Sequence, residues 1–242
     1  MGLEASKVRK HWSFNYNAKK MERGERRRAK ANVAEFSVEQ EKIHAAVHGL
    51  GIFFGLIAVP LLIFSAINKD AYSLLGATVY GVCYLMVFTF STLYHSSTNK
   101  KIKRLYKKLD RISIYFLIAG TYTPLIKFYL FTDDGITMLK IVWSLVVLGI
   151  YFEVQYPDRF RVISVLFYLF MGLLFMFLPV NLLALMPATV SALVIAGVIL
   201  YFVGVFFYVW HRWKYHHAAW HIFVLTASIC HYLAVLNTIN LL

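Results

Sequence analysis

Long apolar stretches, each sufficient to cross a membrane as a helix, follow one another from residue 44 to the end of this chain. A transmembrane helix needs about 20 predominantly apolar residues. The chain is 60% hydrophobic, whereas soluble domains are about half apolar. The sequence therefore predicts an all-α, polytopic membrane protein built as a helix bundle.

We predict seven membrane spans, separated by short polar or charged segments. They cover residues 44–67, 72–95, 110–130, 136–154, 160–183, 188–210 and 217–240. The fifth and sixth are the least clearly separated, because the segment PVNLLALMP (179–187) has no charge and only its two prolines and Asn181 indicate a turn. Residues 1–37 then form a basic cytoplasmic tail, and residues 38–242 form the seven-span domain.

The distribution of lysine and arginine predicts the orientation of this domain. Only Lys69, Lys127 and Lys140 fall in segments on one side of the predicted membrane, so 22 of the 25 basic residues fall on the other. Cytoplasmic segments carry the excess of Lys and Arg in membrane proteins. We therefore expect a cytoplasmic N-terminus and an external C-terminus, with the plasma (inner) membrane as the location.

The net charge of +13 does not indicate a nucleic-acid partner. The basic residues cluster beside apolar stretches, and no nucleic-acid-binding motif accompanies them. We interpret the basic tail mainly as a topology anchor, although such a cluster can also bind anionic lipid. The sequence identifies no protein partner.

Ionisable side chains on four spans meet at one depth, the predicted cytoplasmic boundary. They are Glu41, His44 and His48 on span one, His95 on span two, Asp110 on span three, and His217 and His221 on span seven. Residues four positions apart share one helix face, so His217 and His221 lie about 6 Å apart along the helix axis. Ser91 and His95 repeat this spacing.

This convergence predicts a metal site. Histidine nitrogens are common zinc ligands, and a catalytic zinc site keeps one coordination position open for water. Three histidines from two helices, with an acidic group from a third, suit such a site, so Zn²⁺ is the expected cofactor, although imidazole also binds other divalent ions. His211 and His216, just before span seven, are expected to be interfacial residues.

His231 lies fourteen residues after His217, which places it about 21 Å deeper along the same helix and facing into the bundle. Two interpretations stay open. It either lines a substrate cavity or forms a hydrogen bond to a neighbouring helix. We favour the second, because polar side chains inside a membrane usually pair with another polar group.

Four motifs in order, EKIHAAVHGLG, STLYH, LDRISIYFLIAGTYTP and HAAWH, carry a family resemblance. With them the chain resembles the hemolysin III branch of the progestin and adipoQ receptor family over roughly residues 36–242. The resemblance implies that His95, His217 and His221 are zinc ligands, with Asp110 near the metal-bound water and Ser91 beside it.

The chain departs from the family pattern in the first motif. His44 stands where the family usually has asparagine, and Val47 where it usually has threonine. We therefore expect His44 to be an additional ligand or a proton carrier.

The resemblance implies a zinc-dependent hydrolase of lipid amides or esters, because in adiponectin receptors this site is associated with hydrolysis of lipids such as ceramides. Zinc lowers the pKa of its bound water to about 7. Asp110 would orient that water or accept its proton, and Ser91 would donate a hydrogen bond to the developing oxyanion. A membrane lipid is then the expected substrate or ligand.

Three alternatives remain open from the sequence. A hemolysin-type protein that permeabilises membranes would need a continuous polar pore lining, and spans four to six offer only scattered polar residues. A receptor would need an external ligand-binding region, and the predicted external segments are very short. The third alternative is a purely structural zinc site that ties spans two, three and seven together.

Overall fold

The computed structural model describes residues 36–156, 161–178 and 181–241, so residues 1–35 of the basic tail, and with them the predicted contact to anionic lipid, lie outside the described residues. Seven α-helices follow one another along the described chain, which confirms the predicted all-α class. They are α1 (Val38–Ile67), α2 (Ala71–Ser96), α3 (Lys100–Tyr129), α4 (Asp133–Gln155), α5 (Arg161–Gly172), α6 (Ala188–Val209) and α7 (His216–Asn240).

Five of these helices, α1, α2, α4, α6 and α7, are long and apolar enough to cross a membrane. The protein is therefore a polytopic membrane protein, while its orientation and the full count of seven crossings stay predictions. Helix α3 begins well before its predicted apolar span and includes the basic segment KKIKRLYKK. Its start is fixed by Asn99, whose side chain accepts hydrogen bonds from the backbone N–H groups of Lys101 and Ile102 at 2.9 and 3.3 Å.

The predicted continuous fifth span, 160–183, is wrong as a single helix. Helix α5 ends at Gly172, and a short 3₁₀ turn at Leu174–Phe177 follows it. The hydroxyl of Tyr122 on α3 stabilises this break, since it donates to the carbonyl oxygens of Met171 and Gly172 at 3.0 and 3.1 Å and accepts from the N–H of Phe175 at 3.2 Å. Backbone groups away from water need such partners, and the apolar sequence gave no sign of this one.

We expect Tyr122→Phe to destabilise the protein by about 1–3 kcal/mol, because it leaves buried backbone groups at the end of α5 without their side-chain partner. Tyr84→Phe is a matched control. Tyr84 is also buried, and its hydroxyl makes no hydrogen bond within the described part of the chain, so its loss is expected to be nearly neutral. Thermal unfolding in detergent measures both variants, and equal effects would contradict this account of the break.

Large side chains of α2 pack against small residues on one face of α1. A Cβ atom at Gly51 would overlap the ring of Phe88, and one at Gly55 would lie 2.7 Å from Leu85. Small residues let membrane helices approach each other in this way. His44 lies seven residues before Gly51 on the same helix face, so this packing also holds His44 towards α2.

Candidate metal centre

Four buried histidines from three helices form the candidate metal centre. They are His44 on α1, His95 on α2, and His217 and His221 on α7, with exposed fractions of 0%, 3%, 7% and 4%. One nitrogen from each ring can be chosen so that all four lie within 4.8 Å of one another. The structure thus brings together the three histidines that the sequence predicted as ligands and adds His44 to them.

The donor set of this cluster fits a metal ion such as zinc. Zn–N bonds of 2.0–2.1 Å in a tetrahedron require ligand nitrogens about 3.4 Å apart. The Nε2 atoms of His95 and His221 are 3.1 Å apart, close to this value. The other ligand nitrogens are separated by up to 4.8 Å. Side-chain rotations that move these nitrogens by about 1–2 Å would bring them to the distances of a tetrahedral site. The cluster could therefore hold a metal ion.

Two of the four histidines have a second partner that fixes the orientation of the ring. Glu41 Oε2 lies 2.6 Å from Nδ1 of His95, and Glu41 Oε1 accepts from Lys103 Nζ at 2.8 Å. Nε2 of His48 is hydrogen-bonded to Nδ1 of His221. Because both Nδ1 atoms are engaged, the Nε2 atoms of His95 and His221 face the centre, which is the arrangement that metal-binding histidines commonly have.

Three side chains of α1 that belong to the centre or contact it lie on one face of that helix. Glu41, His44 and His48 are spaced by three and four residues, the spacing that aligns side chains on one helix face. The sequence analysis placed all three at the depth of the predicted metal site. The structure separates them by contact, because His44 belongs to the four-histidine cluster while Glu41 and His48 each contact a ring of the cluster from outside.

We expect Glu41→Gln to weaken metal binding about 10- to 100-fold, the range for losing a hydrogen-bonding partner of a metal ligand. Competition with a coloured chelator measures the affinity of purified protein. Glu39→Gln is the matched control, since Glu39 lies two residues away in an exposed ion pair with Lys214 at 3.2 Å. Equal affinities of the two variants would show that Glu41 does not orient His95.

Asp110 and Ser91 lie beside the cluster and outside the four-ligand group. The half-buried Asp110 on α3 is close enough to Ser91 and His95 for its charge to interact with both. Ser91 is fully buried one turn before His95, and its hydroxyl lies next to the Asp110 carboxylate. The pair therefore presents a carboxylate and a hydroxyl next to the imidazole rings.

The remaining histidines lie away from the centre. His231 Nε2 is 3.3 Å from the carbonyl oxygen of Val194 on α6, which is the contact to a neighbouring helix that the sequence analysis favoured. His216 was expected to be interfacial, and it is the first residue of α7. Its ring is buried against the protein, and its Nδ1 lies 3.1 Å from the carbonyl oxygen of Phe207 near the end of α6. His211 is exposed.

Two polar contacts near the centre were not predicted. Lys103 binds Glu41, but nothing in the sequence separates Lys103 from the other basic residues around it. Arg111 Nη1 pairs with the buried Glu153 on α4 at 3.3 Å, and Glu153 also accepts from Ser164 Oγ on α5 at 2.8 Å. This second network joins α3, α4 and α5 next to the position of Asp110.

Comparison with known proteins identifies the family of the chain. The model of the Haemolysin-III related family matches residues 36–232, a range that contains the whole candidate metal centre. This chain belongs to the Haemolysin-III related family. The hemolysin III resemblance predicted from the four motifs is therefore confirmed.

Relatives of this Haemolysin-III related protein occur in bacteria and animals. It is 40% identical over 202 residues to the Hemolysin-3 homolog of Bacillus subtilis (strain 168), covering 83% of this chain and 95% of that protein. It is 38% identical over 200 residues to Hemolysin-3 of Bacillus cereus, covering 82% and 91%. The human monocyte to macrophage differentiation factor is 28% identical over 190 residues, covering 74% and 78%. No solved structure matches the chain.

Proposed function

We propose that this Haemolysin-III related protein is a zinc-dependent hydrolase that cleaves lipid amides or esters at the membrane boundary. One observation carries the proposal: the buried four-histidine cluster has a carboxylate and a hydroxyl beside it. This combination of metal ligands, acid–base group and hydrogen-bond donor is what metal-assisted hydrolysis requires. A site inside an apolar helix bundle suits a substrate that is itself held in the bilayer.

Zinc at this centre would act as a Lewis acid on a substrate carbonyl group and would acidify water. Hydrolysis of an amide adds a hydroxyl group to the carbonyl carbon and a proton to the nitrogen as the C–N bond breaks. The Asp110 carboxylate would accept the proton from water and deliver it to the departing nitrogen. Ser91 Oγ would donate a hydrogen bond to the carbonyl oxygen as negative charge develops there.

The proposed orientation places this chemistry on the cytoplasmic side. The centre lies where α1 and α7 begin and α2 ends, and these ends adjoin the segments that carry 22 of the 25 basic residues. Such segments face the cytoplasm in membrane proteins. A lipid in the inner leaflet would therefore present its amide or ester linkage at the depth of the centre.

The proposal is tested by release of fatty acid from ceramide and diacyl lipids, detected by mass spectrometry with detergent-purified, zinc-loaded protein. Asp110→Asn is expected to lower the rate about 10²- to 10⁴-fold, the range for a general acid–base group, while bound zinc stays unchanged. Asp134→Asn is the control, because Asp134 is exposed in the first turn of α4. If zinc-loaded wild-type protein releases no fatty acid from either lipid class, the hydrolase proposal fails.

A structural metal centre is the second candidate, because four histidines would close a tetrahedral site as structural zinc sites do. The metal would then tie α1, α2 and α7 together at one end of the bundle. In that case zinc removal lowers the unfolding temperature, and the lipid assay shows no turnover by the loaded protein.

Membrane permeabilisation is the third candidate, supported by the names of the two Bacillus relatives. It predicts dye release from liposomes that contain the purified protein. Lysis that persists after loss of the metal would separate this activity from hydrolysis at the metal centre.

A further inference from the structure

We propose that His44 is the fourth metal ligand and competes with incoming ligands for the one coordination position that hydrolysis needs. This inference rests on the proposed metal centre and goes beyond it. A site with three histidines and an open position binds water or a substrate carbonyl directly. With His44 bound, the metal in this chain would be fully coordinated by protein, and His44 would have to leave before a substrate could bind.

The arrangement of the four rings supports this role. Their six centroid separations are 4.3, 4.8, 4.8, 4.9, 5.2 and 5.6 Å, close to the six edges of one tetrahedron. Zn–N bonds of 2.0–2.1 Å, with each ring centroid about 1 Å beyond its nitrogen, require edges of about 5 Å. The rings are therefore placed around a single point, and His44 occupies one complete vertex.

His44 also differs from the other three in what its loss would leave behind. His217 and His221 share one face of α7, and His95 faces them from α2 at 4.9 Å from the ring of His221. The partners Glu41 and His48 hold His95 and His221 in place. A variant without the His44 imidazole would therefore retain a three-histidine set with one open position.

The same helix carries His44 and the two orienting residues, while the other three ligands lie on α2 and α7. His44 is completely buried and lies on the same helix face, between Glu41 and His48. Opening the fourth position by rotation of the His44 side chain would keep the contacts of Glu41 and His48, whereas movement of the whole helix would disturb them. We therefore infer that the position of the His44 side chain controls whether a substrate can reach the metal.

Cobalt(II) replaces zinc as a coloured probe in the test, with azide as a small ligand for an open position. Full-length protein in detergent is compared with His44→Asn and with the control His211→Asn, whose histidine is exposed and outside the cluster. Azide is expected to change the visible cobalt spectrum of His44→Asn and to leave the wild type and the control unchanged. Cobalt affinity of His44→Asn is expected to fall by about 100-fold or more, beyond the effect of losing an outer partner.

An unchanged cobalt affinity and azide response in His44→Asn would overturn the role of His44 and leave the metal centre intact. Failure of the folded wild type to bind cobalt or zinc would instead overturn the proposed function. If His44→Asn does not fold, X-ray absorption of the zinc-loaded wild type decides. Four imidazoles on the metal support the proposal, and three imidazoles with one oxygen ligand contradict it.

Discussion

Replacing His217 and His221 together by alanine is expected to abolish metal binding, whereas wild-type protein is expected to carry about one zinc ion per chain. The two residues supply two of the four imidazoles from one face of α7. The remaining pair, His44 and His95, would offer only two nitrogen donors, fewer than the three protein ligands of a catalytic zinc site. Elemental mass spectrometry of detergent-purified protein gives the zinc content directly.

Asp110→Ala is the informative comparison for this experiment. Asp110 lies beside the cluster and outside its four-ligand group, so the variant should keep its zinc. The loss of metal also has a thermodynamic signature, because an ion at about 100 times its dissociation constant stabilises the folded protein by about 2.7 kcal/mol. A chelator should therefore lower the unfolding temperature of the wild type and of Asp110→Ala, and leave the double variant unaffected. Zinc retained by the double variant would show that the centre lies elsewhere.

The sequence predicted the site better than it predicted the details of the helices. Apolar stretches and the lysine and arginine counts place His95, His217 and His221 at one end of the bundle, and the structure brings these three side chains together. This works because a membrane restricts the helices to a few positions, so the sequence order of spans fixes which ends meet. His44 was expected only as an additional ligand or proton carrier. Its place in the cluster depends on the rotation of α1, which close contacts such as Gly51 against Phe88 determine.

The features that the sequence missed depend on side-chain contacts between helices. The end of α5 at Gly172 is stabilised by Tyr122, which is far away in sequence and has no feature that sets it apart from the other tyrosines. The contact between Glu41 and Lys103 is similar, since the basic segment of α3 offers several equivalent partners. Hydropathy patterns report which segments are apolar, and they carry no information about which polar atoms meet.

Glu153→Ala is expected to destabilise the protein by about 3 kcal/mol, the lower end of the range for breaking a buried ion pair. The Glu153 side chain is 3% exposed and that of Arg111 is 14% exposed, so their pairing is shielded from water. The variant also removes the acceptor for Ser164 Oγ on α5. The variant therefore removes contacts that join three helices, α3, α4 and α5. We expect a lower unfolding temperature of the variant in detergent.

The exposed pair of Glu39 and Lys214 supplies the matched control. Their side chains are 63% and 55% exposed, and Glu39→Ala is expected to leave the unfolding temperature nearly unchanged, because exposed ion pairs contribute little to stability. A double variant, Arg111→Met with Glu153→Leu, should be less destabilised than the sum of the two single changes, because apolar replacement of a buried pair removes both desolvation costs. Additive effects would show that the two charges do not stabilise each other. Asp110 precedes Arg111 in α3, so real coupling would mean that the network with α4 and α5 anchors the turn of α3 that carries the proposed acid–base residue.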